Sequence, residues 1–122
     1  MGYESRYIVV DRCEYEFGRD GDTKVHAEVL ATFSMSRMPI GFDEPFKEEI
    51  DYELYPLPQE AGYVDTDKYG DHLKYSTLDD MIAWLKKAIK TNSYRRLMPL
   101  LGYLQGLDPE DWEEIQIVHY GY

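Results

Sequence analysis

The chain has one cysteine, Cys13, so no internal disulfide can staple it; its place in a strand pattern reads as a buried, inert thiol. No apolar run approaches the roughly 18 residues that a membrane-spanning helix needs. The first residues, Met1-Gly2-Tyr3-Glu4-Ser5-Arg6, have neither the basic start nor the apolar stretch of a secretory leader, and Arg6 stands where a myristoylation signal wants Ser or Thr. We therefore expect a cytoplasmic protein with no membrane contact. Histidine is scarce too: His26, His72 and His119 are far apart and have no Cys or His partner at ligand spacing, so no metal or other cofactor is expected. A glycine-rich phosphate loop is missing, because Gly18-Arg19-Asp20-Gly21 is a turn whose aspartate repels phosphate, and there is no G-x-S-x-G nucleophile pattern. The expectation is a protein that is not an enzyme. Bases are few, 13 Lys and Arg against 24 Asp and Glu, and the formal charge of -11 opposes direct nucleic-acid binding.

What the chain does have is enough apolar and aromatic content to fold: 43% hydrophobic and 15% aromatic over 122 residues fits one compact domain spanning residues 1–122. Tyr7, Val9, Cys13, Tyr15 and Phe17 alternate with Arg6, Arg12, Glu14 and Glu16, the period of a strand. Asp20-Gly21 then signals a hairpin, and Val25, Ala27, Val29, Ala31, Phe33 and Met35 predict a return strand with one apolar face. Met38-Pro39-Ile40-Gly41 breaks the pattern into a loop. Phe46, Ile50, Tyr52 and Leu54 alternate with Lys47, Glu49, Asp51 and Glu53, which predicts a third strand over 46–55, ended by Pro56 and Pro58. Residues 56–75 lack a sustained period and are expected to form a long loop or arm.

Ser76 is the expected cap of a helix carrying Leu78, Met81, Ile82, Leu85 and Ile89, with Asp79 and Asp80 at its positive end and Lys86, Lys87 and Lys90 near the other. Thr91-Asn92-Ser93 stops it. Leu97, Leu100, Leu101 and Leu104 predict a second helix with Pro99 in its first turn and an end near Gly106. Asp108-Pro109 caps a short turn before a final strand through Ile115, Ile117 and His119. The order β-β-β-α-α-β implies an α+β fold: an antiparallel sheet of about four strands with two helices packed on one face.

Charge is concentrated. Between Asp43 and Asp71 there are ten acidic residues and two basic ones, a net -8 in less than a quarter of the chain. Residues 76–107 reverse this to +3, which suits the C-terminal end of the first helix and pairing with the acidic segment. Asp65-Thr66-Asp67-Lys68-Tyr69-Gly70 matches a calcium loop at positions 1, 3 and 6 but has Tyr69 at position 5 and Ser76 at position 12, so it reads as a polar turn. Tyrosine is abundant, twelve against four Phe, and its ring suits both core edges and interfaces. The candidate partner-binding residues are Glu49, Asp51, Glu53 and Tyr55 on the third strand and Tyr63, Asp65, Asp67, Tyr69 and Asp71 on the arm. Carboxylates at alternate strand positions lie about 7 Å apart on one face, a row suited to several Lys or Arg side chains.

In size and charge the chain resembles the small acidic inhibitors that phages encode against host nucleases, including anti-CRISPR and anti-restriction DNA mimics. The likeness is one of composition and carries no functional residue across. It implies a partner protein with a basic surface, a nuclease or other nucleic-acid-binding enzyme, blocked by DNA mimicry or groove occlusion. The alternatives are an accessory or regulatory subunit of a larger complex, or a small ligand-binding protein or enzyme in which His72, His119 and carboxylates converge on a pocket.

Overall fold

The computed structural model describes residues 4–19, 21–36, 41–54, 64–67, 70–92 and 95–121. Gly18 and Gly21, at φ of 79° and 71°, hold the left-handed backbone that turns β1 (Glu4–Phe17) into β2 (Asp22–Ser36). The pairing Phe17↔Asp22 closes this hairpin. Next come β3 (Glu48–Glu49), β4 (Lys74–Thr77), α1 (Leu78–Asn92), α2 (Met98–Gln105) and β5 (Ile115–Gly121). Among the described residues the sheet has five strands in the order β2-β1-β5-β4-β3, with every neighbouring pair antiparallel. The fold is α+β with both helices on one face, and the fifth strand arises because residues 74–77, which span the expected end of the arm and the expected start of the first helix, pair with β5.

Thr77, not Ser76, caps α1: its Oγ1 accepts the Asp80 N–H at 3.2 Å. Ser76 is still inside β4, opposite Ile117 and buried, so it is spent on the sheet. Pro99 lies in the first turn of α2, where no N–H is needed, and Asp108 Oδ1 accepts the Glu110 N–H at 3.0 Å to start the short turn that feeds β5.

Opposite side-chain parity on β1 and β5 builds two cores. Tyr7, Val9, Ile115 and Ile117 meet Met81, Leu85, Ala88, Leu97, Leu100 and Leu104 of the helical layer. Ile8, Val10, Val118 and Tyr120 point the other way and are covered by Ile50, Tyr52, Leu54 and Leu73. Each fully buried side chain of this size contributes about 1.5–3 kcal/mol, so neither layer is decoration. The sheet is thus buried on both faces at its centre, where the sequence predicted one dry and one wet face.

The return strand is also corrected. Val9 pairs with Ala31 but Val10 with Val29, which leaves Leu30 as an extra residue on β2. This bulge swings the apolar set from one side to the other: Leu30, Ala31 and Phe33 pack towards the helices, Val25 and Ala27 towards the opposite core.

Candidate functional site

The acidic segment wraps the sheet edge. Phe46 packs in the helical core, stacked on Tyr7 with ring centroids 5.7 Å apart and planes at 16°. Glu48 and Glu49 pair with Tyr75 and Lys74, the Ile50 N–H donates to Leu73 O at 3.0 Å, and the chain then crosses to the other face. Regular pairing ends there, so the third strand is Glu48–Glu49 and not 46–55. Its in–out alternation persists from Ile50 to Leu54, with Ile50, Tyr52 and Leu54 buried and Asp51 and Glu53 exposed, but it fails at Lys47, Glu48 and Glu49, all exposed after buried Phe46.

The expected row of Glu49, Asp51 and Glu53 is broken by what each carboxylate faces. Asp51 is gripped by Arg12 in a two-pronged fork, with Nε to Oδ1 at 2.9 Å and Nη2 to Oδ2 as the second contact. Arg12 also reaches Glu14 at 2.8 Å. The fork holds the Asp51 carboxyl below its ordinary range and raises the guanidinium further still. Beneath it the Tyr52 hydroxyl donates to Gln116 Oε1, and Gln116 Nε2 donates to Glu114 Oε2 at 2.6 Å, while burial pushes the Tyr52 phenol up. Glu49 turns instead towards His72, whose Nδ1 lies 3.9 Å from Glu49 Oε2 and whose Nε2 lies 3.8 Å from Asp65 Oδ2.

Within the expected arm the described residues are tied back to the sheet. Leu54 and Val64 exchange both backbone hydrogen bonds, at 2.7 and 2.6 Å, and the Leu73 N–H donates to Asp65 O at 2.8 Å. Asp67 Oδ1 accepts the Asp71 N–H at 3.0 Å, closing a turn in which Gly70 holds φ of 87°. Tyr55, Tyr63 and Tyr69 lie outside the described residues, as do Pro56, Pro58 and the Met38-Pro39-Ile40 break. Tyr75 donates to Glu48 at 2.8 Å on the outer rim.

On the helical side of the same edge a cleft of about 430 Å³ opens between the 42–49 segment, Asp67, residues 71–74 and β5. Phe42, Phe46 and His119 form its floor, with ring centroids 5.1 Å from Phe42 to His119 and 5.5 Å from Phe46 to His119. Asp43, Glu49, Asp67 and Asp71 wall it, with Lys74 and His72 at the rim. His119 Nε2 and the fully buried Ser5 Oγ share a hydrogen bond of 2.9 Å. Burial pulls the His119 imidazole down to about 4, against the opposing pull of Asp67 and Asp43, so it is neutral at pH 7. Histidines 47 positions apart therefore share one cleft. Asp43, Lys74 and Arg12 were not singled out from the sequence; for His119 the signal was present, a histidine in register with Ile115 and Ile117 on an apolar face.

The remaining features are quieter. Cys13 is half-buried, and burial together with the Asp11 carboxylate pushes its thiol up to about 11, which keeps it protonated. Buried Asp11 takes the N–H groups of Glu113 and Glu114 at 3.0 and 2.9 Å, fixing the entry to β5. Lys86, Lys87, Lys90, Arg95 and Arg96 are exposed on the helical layer. Among the described residues no three His, Cys, Asp or Glu side chains converge as a metal site, and no helix is long and apolar enough to cross a membrane. No protein-family model, curated protein or solved structure matches the chain.

Proposed function

We propose that this is a small, non-enzymatic, acidic binding protein of the cytoplasm that occupies the basic surface of a nucleic-acid-binding partner and so blocks it, by mimicry of DNA or by covering its groove. The observation that carries this reading is the build of the acidic segment: its apolar residues are sunk into the sheet, so that exposed Glu48, Glu49, Glu53, Asp65 and Asp71 project from an anchored layer. A preorganised anionic surface loses less entropy on meeting a cationic groove than a floppy acidic tail does. Asp51 contributes less, because Arg12 already neutralises it. Tyr55, Tyr63 and Tyr69 remain proposed contacts of the same surface.

The test is competition. A basic nuclease or other nucleic-acid-binding enzyme that binds this protein should release it as salt rises and as DNA or RNA is added. Charge reversal at Glu48, Glu49 and Glu53 should abolish that binding while the fold survives. Binding that persists through the reversal sinks the mimicry and points to an accessory subunit that docks through other contacts. The cleft favours a second reading, a small-ligand-binding protein or enzyme, since it brings His72, His119 and four carboxylates together over an apolar floor.

A further inference from the structure

Carboxylates on a surface are ordinarily just solvated, and the four around this cleft would be so on a flat face. They are not on a flat face: they ring a concavity of about 430 Å³ whose floor is made of rings. Counting Lys74 and taking both histidines as uncharged, the cleft carries three net negative charges over Phe42, Phe46 and His119.

Acidic walls over aromatic faces discriminate among cations. A guanidinium is planar, weakly hydrated and forked, so it stacks on a ring while giving paired hydrogen bonds to a carboxylate. An ammonium is a compact, strongly hydrated point charge that gains little from the floor. The protein already makes this kind of pairing once, where Arg12 forks onto Asp51. Asp67 offers the cleft a carboxylate held in place by the Asp71 N–H at 3.0 Å, and neutral His119 adds a ring face without a repelling charge.

From this we infer that the cleft between Phe42, Phe46, Glu49, Asp71 and His119 is a receiving pocket for an arginine side chain presented by the basic partner. This rests on the reading of the protein as a binder of basic surfaces and gives that surface a specific anchor. Arginine is enriched among residues that dominate interface energies, and a walled, partly desolvated pocket is where such an anchor acts.

The probe is N-acetyl-arginine methylamide, titrated into the full chain and followed by two-dimensional NMR, with the lysine and citrulline equivalents as comparators. Saturable shifts centred on Lys74, His72 and His119 are expected, with affinity lower by about tenfold for citrulline and by several-fold for lysine. Glu49→Gln combined with Asp71→Asn should weaken arginine binding by about tenfold or more, and Phe42→Leu should erase the preference for arginine over lysine while leaving the charge attraction. Both carboxylates are exposed, so the double variant should keep the wild-type spectrum away from the cleft. Equal response to lysine, shifts scattered over all exposed acids, or indifference to the double variant would each overturn the pocket. The two readings fail separately: charge reversal at Glu48 and Glu53, outside the cleft, tests the partner surface without touching arginine binding, and loss of arginine binding with partner capture intact removes only the pocket.

Discussion

The sheet is covered on one side by helices α1 and α2 and on the other by segments that are barely regular at all, yet the two covers bury their side chains equally well. Leu85, Leu100 and Leu104 are fully enclosed under the helices; Leu54 and Leu73, at 1% exposure each, are no less so beneath the acidic layer. What differs is how the backbone is satisfied. The helices bond within themselves, whereas the acidic cover depends on a few contacts between distant parts of the chain, such as the Leu54–Val64 pair and the Ile50–Leu73 bond. A layer can therefore close a core without repeating structure, provided its backbone groups find partners one at a time. The cost is that each partner matters more.

If the covers are equal in burial, truncating either should hurt alike. Leu85→Ala and Leu54→Ala should each lose about 2–5 kcal/mol in chemical denaturation; a Leu54→Ala cost below about 1 kcal/mol would break the comparison and make the acidic cover a detachable flap. His119 lies at the seam, touching Tyr7, Phe42 and Phe46, and its lowered folded value fixes the sign of a pH effect. As pH falls below about 6.5 the unfolded chain takes up the proton first, so stability present above that pH is lost progressively down to about 4. The loss assignable to this residue is about 3 kcal/mol, read as the difference in pH dependence between wild type and His119→Gln across pH 7 to 4; identical slopes would refute it.

Smaller effects separate the covers further. Arg12→Met removes the fork onto Asp51 and should cost about 1–2 kcal/mol, with part of the loss vanishing at high salt and the Asp51 carboxyl titrating upward by NMR. Thr77→Ala belongs to the helical cover and should cost about 1 kcal/mol irrespective of salt, seen as a lower midpoint with unchanged denaturant slope.

The helices, the hairpin and the final strand were legible in the sequence because each satisfies its own local rule: helical spacing at Leu78 to Ile89, positive-φ glycines at 18 and 21, alternation from Ile115. The bulge at Leu30 was not legible. Strict alternation from Val25 to Met35 looks like one face, and only pairing with Val9 and Val10 shows that it is shared between two. The alternation from Ile50 to Leu54 taught the complementary lesson: a period of two reports which residues are sunk into a surface, and it persists there although the backbone makes almost no ladder. The cleft was half legible. Its acids stood out as a run, but the floor comes from residues 42, 46 and 119, and sequence distance hides that convergence.

The position of β5 has a consequence in time. It lies between β1 and β4 and is synthesised after every other described element, so the early hairpin and the acidic wrap have no shared strand to join them until residues 115–121 leave the ribosome. Until then β1 is paired only on its β2 side, Ile8 and Val10 lack their β5 partners Val118 and Gln116, and the nascent chain carries an open edge. Closure of the sheet should thus be gated by the arrival of one strand, and slowed because β1 and β5, far apart in sequence, must pair. A ribosome stalled short of that strand would display the -8 segment with little to hold its carboxylates in place.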